Sequence, residues 1–231
     1  MSLFITFEGI EGCGKTTQIH HLTAYLQRSQ RPHLVTREPG GTPAGEQIRQ
    51  ILLSSPNTPL EPMVELLLFV AARAQHLQEV IRPALQAGKT VICDRFTDAT
   101  LAYQGFGRGL DLEWIEEIQN RVMGSIKPDL TFLLDLPVEE GLRRARSRVE
   151  KNKVGRSKKL AVDNGQMEFR LHLTHVDQDR LERKSLDFHR RVRDGYLGLA
   201  QRDPQRIIVL DGMKDEEVLH QEILDRLLLE L

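Results

Sequence analysis

Apolar positions along this chain fall into two alternating rhythms. Leu3 to Phe7 is a short apolar, β-rich run that stops at Glu8-Gly9. Ile19, Leu22 and Leu26 then recur on one helical face. Leu34-Val35-Thr36 predicts a second strand, ending in the turn cluster Arg37-Glu38-Pro39-Gly40-Gly41. Ile48, Ile51 and Leu52 mark a short helix. Beyond a loop confined by Pro56, Pro59 and Pro62, a long helix carries Leu66, Phe69, Val70, Leu77, Val80 and Ile81 and closes at Gly88. Thr90 to Cys93 predicts a third strand, running straight into Asp94-Arg95, and Leu112, Ile115, Ile118 and Val122 space as a helix. Leu130 to Leu136 is apolar almost throughout, as a parallel strand covered on both faces should be. Ile207 to Leu210 and Val218 to Leu229 give the last strand and helix. Alternating strands and helices with buried strands imply an α/β three-layer fold, a parallel five-stranded sheet flanked by helices.

One stretch breaks the rhythm. Val149 to Val176 opens polar and basic, with Lys151, Lys153, Arg156, Lys158 and Lys159. It continues through Leu160-Ala161-Val162 and Asp163-Asn164-Gly165 to Met167-Glu168-Phe169-Arg170-Leu171-His172-Leu173. Asn-Gly between alternating apolar runs is a hairpin signal, so the stretch reads either as an inserted β-hairpin arm or as a basic loop.

Composition narrows the class of function without choosing it. At 231 residues the chain can bury a sizeable core. A net charge of -1 gives the whole molecule no bias toward nucleic acid or an acidic membrane, so any anion must be bound by local groups. The first residues lack the basic region and apolar length of a signal peptide, and no stretch approaches a membrane span, the most apolar segments being broken by Glu, Arg or Gln. The 2 cysteines, Cys13 and Cys93, are far apart and fit a reducing cytoplasm better than a disulfide framework.

Local anion binding is written into Gly9-Ile10-Glu11-Gly12-Cys13-Gly14-Lys15-Thr16, which matches G-x-x-x-x-G-K-[ST]. Glycines let the backbone curl so that successive N–H groups point inward and cradle phosphate oxygens. Lys15 can reach the β and γ phosphates of ATP, Thr16 can ligate Mg²⁺, and the helix starting there adds its positive dipole end. The strand before and the helix after are the context that the motif requires. The D-x-x-G of GTP switches is absent, and Asn152-Lys153 lacks the aspartate and the strand of a guanine-binding N-K-x-D. Asp94-Arg95 sits where open α/β sheets place ligands, at the carboxyl end of a strand. A carboxylate there can hold metal-bound water or accept a proton, and a guanidinium can bridge donor and acceptor phosphates.

Several segments together resemble the bacterial thymidylate kinase family. They are Phe7 to Thr17, Arg37-Glu38-Pro39-Gly40-Gly41-Thr42, Phe69-Val70-Ala71-Ala72-Arg73, Asp94-Arg95-Phe96, Ala102-Tyr103-Gln104-Gly105 and Pro128-Asp129-Leu130. The resemblance implies a single P-loop domain over 1–231 that phosphorylates dTMP to dTDP with Mg-ATP, a step of dTTP biosynthesis, in a cytoplasmic homodimer. It implies that Glu11 lies near the acceptor's sugar and the metal, that Arg37 holds the acceptor phosphate, and that Phe69 stacks on thymine. Arg73 would bond a base carbonyl, Thr100 and Gln104 would meet the base or its surroundings, and Tyr103 would crowd the 2′ position. Lys15, Asp94 and Arg95 are expected to be catalytic, with Thr16 and Asp94 serving the metal.

Family members carry a further catalytic arginine either in the P-loop or in a mobile lid. Gly12 stands at the P-loop position, so the resemblance implies the lid type, with Arg146 or Arg148 favoured among Arg143, Arg144, Arg146 and Arg148. The lid, roughly 143–182, departs from the family pattern through the inserted stretch. Two rivals remain open on residues alone: a kinase of another acceptor, or a module that binds ATP without turnover and holds a partner with the hairpin arm.

Overall fold

The computed structural model describes residues 2–54, 59–154, 181 and 184–229. Five strands, β1 (Phe4–Glu8), β2 (His33–Arg37), β3 (Thr90–Asp94), β4 (Leu130–Asp135) and β5 (Ile207–Asp211), form one parallel sheet in the order β2-β3-β1-β4-β5. The expected sheet is therefore present, and each strand lies within a residue or two of its apolar run. β1 is buried along its whole length, because helices cover both faces of the sheet's centre. β5, at one edge, leaves Val209 exposed. In the middle of the sheet Thr6 and Thr131 hydrogen-bond to each other at 2.7 Å, so neither hydroxyl is left unsatisfied in the core.

Helix α1 (Lys15–Arg28) follows β1, and α2 (Pro43–Ser54) follows β2. Helix α3 (Pro62–His76) runs through one wide π turn, Leu77–Ile81, into α4 (Arg82–Gln86). Pro83 explains the wide turn: it has no N–H to continue an α ladder, and the extra residue in the preceding turn makes room for its ring. Gly88, at φ 73, ends this long helix as expected. Its N–H bonds to the Leu85 carbonyl, and that of Lys89 to the Ala84 carbonyl.

Helix α5 (Thr97–Thr100) continues as a second wide segment, Leu101–Gly107, followed by α6 (Leu112–Met123), α7 (Val138–Val154), α8 (Leu186–Arg202) and α9 (Glu216–Leu228). The short helix after β3 and the whole of α8 add two elements to the pattern read from sequence. The wide segment after that short helix packs on α8: a Cβ added to Gly107 would lie 2.7 Å from the Phe188 ring and 2.9 Å from the Val192 side chain, so glycine lets this backbone lie against the side chains of α8. Helix α7 reaches Val154, past the point where the inserted stretch was expected to begin. From 155 to 180 that stretch lies outside the described residues, and the hairpin expectation with it.

β1 hands the chain to β2 on one side, while its neighbour β4 hands on to β5 on the other. The loops leaving β1 and β4 therefore part, and open a crevice at the carboxyl edge of the sheet.

Candidate active site

The loop after β1 is shaped by three glycines at positive φ, Gly9 (128), Gly12 (72) and Gly14 (100), and Gly14 caps α1. Its curl encloses the Lys15 ammonium, which donates to the Gly9 and Ile10 carbonyls at 3.0 Å and to Cys13 Sγ at 3.4 Å. Gly12 faces α7 so closely that a Cβ there would lie 2.1 Å from the Gly141 carbonyl oxygen. No arginine fits at that position in this packing.

Glu11 turns out of the loop toward β3. Its Oε1 accepts from Arg95 Nη2 at 3.0 Å and from the Tyr103 hydroxyl at 2.6 Å. Its Oε2 is buried without a hydrogen-bond partner among the described residues, 3.7 Å from His189 Nδ1. Burial alone would raise the Glu11 pKa, but Arg95, Lys15 and the Tyr103 hydroxyl outweigh it and hold the carboxyl below its usual value. Arg95 is one of two non-glycine residues at positive φ among the described residues, at 68. Its guanidinium lies over the Tyr103 ring, 5.0 Å from the centroid, and donates to the Tyr196 hydroxyl at 3.1 Å. Beside it, Asp94 Oδ1 is buried with no hydrogen-bond partner among the described residues.

Arg37, at the end of β2, is paired with Glu46 of α2 at 3.1 Å. On α3, Phe69 is half-buried against the core, while Arg73 is 1% exposed. The Arg73 guanidinium donates to Glu38 Oε2 at 2.7 Å, Gln119 Oε1 at 2.5 Å, the Phe96 carbonyl at 3.0 Å and Thr100 Oγ1 at 3.0 Å. Four bonds for a planar fork of five N–H groups fix its plane almost completely. Gln104 is buried and donates to Glu65 at 2.8 Å. The structure thus joins Glu11, Arg95 and Tyr103 in one cluster and Arg73 and Thr100 in another.

The arginines of α7 are less closely drawn in. Glu140 holds Arg143 and Arg144 at 2.7 and 2.6 Å, and Arg144 also donates to the Gly212 carbonyl at 3.0 Å. Arg146 is exposed and has no partner among the described residues. The side chain of Arg148 lies outside them.

Four buried groups that matter here were not singled out from sequence. Glu38 links Arg73 to His76, which in turn bonds Thr36 at 2.6 Å. Gln119 brings α6 to Arg73. Glu8 and Tyr196 stand behind Arg95: the Tyr196 hydroxyl donates to Glu8 Oε2 at 2.7 Å, and the Phe96 N–H donates to Glu8 Oε1 at 2.7 Å. Burial and the nearby Asp98 push the Glu8 carboxyl up to about 7, against the pull of Arg95, Tyr196 and the Phe96 amide. Phe188, Val192, Tyr196 and Leu199 recur at helical spacing behind a Ser185 cap, so α8 and its tyrosine carried a readable signal.

Three comparisons bear on this geometry. A family model described as thymidylate kinase matches residues 7–164. A thymidylate kinase from Geobacter sp. (strain M21) is 51% identical over 215 residues, covering 93% of this chain and 86% of that one. Another, from Geobacter sulfurreducens, is 47% identical over 228 residues, covering 99% and 97%. Among solved structures, a thymidylate kinase from Ehrlichia chaffeensis superposes with a TM-score of 0.70 at 34% identity, covering 98% of each chain.

Proposed function

The chain belongs to the thymidylate kinase family, and on that premise we propose how its residues divide the work of moving the γ-phosphoryl of ATP onto dTMP. The enzyme is a nucleoside monophosphate kinase that converts dTMP to dTDP with ATP as donor. The observation that carries our reading of the site is the 3.0 Å bond between Glu11 and Arg95. It ties the phosphate loop after β1 to the turn after β3, the donor side to the acceptor side.

On the donor side, Gly9 to Thr16 wrap the ATP phosphates, and Lys15 exchanges its three bonds to the loop for charge-assisted bonds to phosphate oxygens. Thr16, in the first turn of α1, and Asp94 suit Mg²⁺, a hard cation that keeps most of its water and takes few protein oxygens. The buried Asp94 Oδ1, which has no hydrogen-bond partner among the described residues, supports that fit. When bound, Mg²⁺ neutralises charge on the β and γ phosphates.

On the acceptor side, Arg37 receives the dTMP phosphate and Phe69 stacks on thymine. Arg73 offers a base carbonyl the one N–H donor that its four protein bonds leave over among the described residues, and Thr100 and Gln104 line its surroundings. Tyr103, held against Glu11, limits room beside the sugar. Arg95 bridges the two phosphates. Arg146 or Arg148 closes from the lid onto the equatorial oxygens, an assignment supported by Gly12, where no arginine fits.

Both ends of the chain supply strands to one sheet, which supports a single domain. The outward Ile51, Met63, Val64 and Leu67 of α2 and α3 support a homodimer built on those helices, while Leu66 and Val70 belong to the core. Use of ATP and two unpaired buried cysteines support a cytoplasmic site of action.

ADP release from Mg-ATP, measured with dTMP, dUMP, dCMP, dAMP, dGMP, thymidine and no acceptor, tests the reading. Turnover should be fastest with dTMP and slower with dUMP, with little from the rest. A different best acceptor would remove the roles given to Phe69 and Arg73 and leave the phosphate loop untouched.

A further inference from the structure

Glu8 grips the Arg95 segment at two points. One oxygen takes the N–H of Phe96, the residue after Arg95. The other takes the Tyr196 hydroxyl, whose own oxygen accepts from Arg95 Nη1 at 3.1 Å. Both Glu8 and Tyr196 are buried, so water does not compete for these bonds. A guanidinium in a phosphate site is useful only in the right direction, because its donors lie in one plane. Arg95 has three braces: Glu11 on Nη2, the Tyr103 ring on its face, and Tyr196 on Nη1. Glu11 and Tyr103 belong to the substrate side in our reading, which leaves Tyr196 as the brace from behind.

We propose that Tyr196 and Glu8 are positioning residues for phosphoryl transfer, the Glu8–Tyr196 pair fixing which Arg95 donors face the group in flight. The inference rests on the reading of Arg95 as the bridge between donor and acceptor phosphates. It also has a pH signature. The groups facing Glu8 are Asp98 of α5, itself held by Arg206 at 2.7 and 3.0 Å, and the Cys93 thiol of β3, together with Arg95, Tyr196 and the Phe96 amide. As pH falls through about 7, Glu8 gains a proton and ceases to be a pure acceptor. The Tyr196 hydroxyl is then no longer held in one orientation, and Arg95 loosens.

The test measures kcat and KM for dTMP and ATP, as a function of pH, in the wild type, Tyr196→Phe, Glu8→Gln and Arg95→Lys, with a melting temperature for each. Tyr196→Phe should lower kcat about tenfold with KM for dTMP within about twofold, the pattern of a bond that matters in the transition state. The wild type should lose kcat below about pH 7, and Glu8→Gln, nearly isosteric, should flatten that fall. The double variant Tyr196→Phe/Arg95→Lys should be no slower than Arg95→Lys alone. Normal kcat and pH profile in Tyr196→Phe and Glu8→Gln, with a crippled Arg95→Lys, would overturn the positioning role and leave Arg95 as the bridge. An unimpaired Arg95→Lys would remove the bridge and the inference together. Loss of kcat, KM and melting temperature in parallel would reduce Tyr196 to a packing residue.

Discussion

Gly12 and Gly141 meet backbone to backbone: a Cβ on Gly12 would stand 2.1 Å from the Gly141 carbonyl oxygen, and one on Gly141 would stand 2.6 Å from the Glu11 carbonyl oxygen. The phosphate loop is thus seated on the first turn of α7, the helix that leads into the lid. Gly12 is also at φ 72, where a side chain is strained whatever the space. Gly12→Ala should lower stability by at least 1–3 kcal/mol, roughly, and Gly12→Arg should not create a working arginine in the loop. Thermal melts and kcat check both. A stable, active Gly12→Arg enzyme would show that the loop and α7 part easily.

Arg73 and Glu38 are a nearly buried ion pair, with side chains 2% and 4% exposed. Removing one partner strands the other charge in the core. Arg73→Ala or Glu38→Ala should therefore each cost about 3–5 kcal/mol of stability. Arg73→Lys keeps the charge but loses the planar fork that satisfies Gln119, Phe96 and Thr100, and should still destabilise strongly. Urea titration of the three variants measures this. A loss of dTMP over dUMP preference in whatever Arg73→Lys folds would separate base reading from stability.

Glu8 makes folding stability depend on pH in a stated direction. Its carboxyl is raised from 4.5 to about 7 in the folded protein, so between those values the folded state binds the proton that the unfolded state has lost. The contribution is fully present below about pH 4.5 and is lost as pH rises through about 7, on the order of 3 kcal/mol if Glu8 acted alone. Glu8→Gln cannot ionise. Its stability relative to the wild type should rise between pH 5 and pH 8, roughly, as read from urea midpoints. A constant difference across that range would mean that Glu8 titrates normally.

Arg143, Arg144 and Arg146 share one helix but not one situation. Glu140 occupies the first two, and Arg146 is exposed with no partner among the described residues. Arg146→Ala should leave the melting temperature almost unchanged, as a surface change does. If Arg146 is the lid arginine, kcat falls about 10³-fold; if only Arg148→Ala produces that fall, the role lies two residues further along the helix. Arg143→Ala should stay within about threefold of the wild type in kcat.

The chain's own sequence determined the layered α/β fold, the five strands, the phosphate loop and the positions of Asp94 and Arg95. Each of these rests on local rules. Apolar runs and turn residues set the strands, and a glycine-rich spacing between a strand and a helix has few uses other than holding phosphate. The same sequence placed Tyr103 and Arg73 only through resemblance to a family, since an isolated tyrosine or arginine on a helix has no local signature. What the tertiary structure alone decided is which distant groups meet. Glu8 and Tyr196 are 188 positions apart and 2.7 Å in contact; Arg73 and Gln119 are 46 apart. Gly12 stands out only against the family pattern, and it takes the packing on Gly141 to show that no side chain fits there. The Glu8 carboxyl is raised by burial and by Asp98, and its hold on Arg95 depends on the strand order that sets β1 beside β3. Periodicity fixes which face of an element is buried, whereas charge pairing inside the core depends on which elements become neighbours.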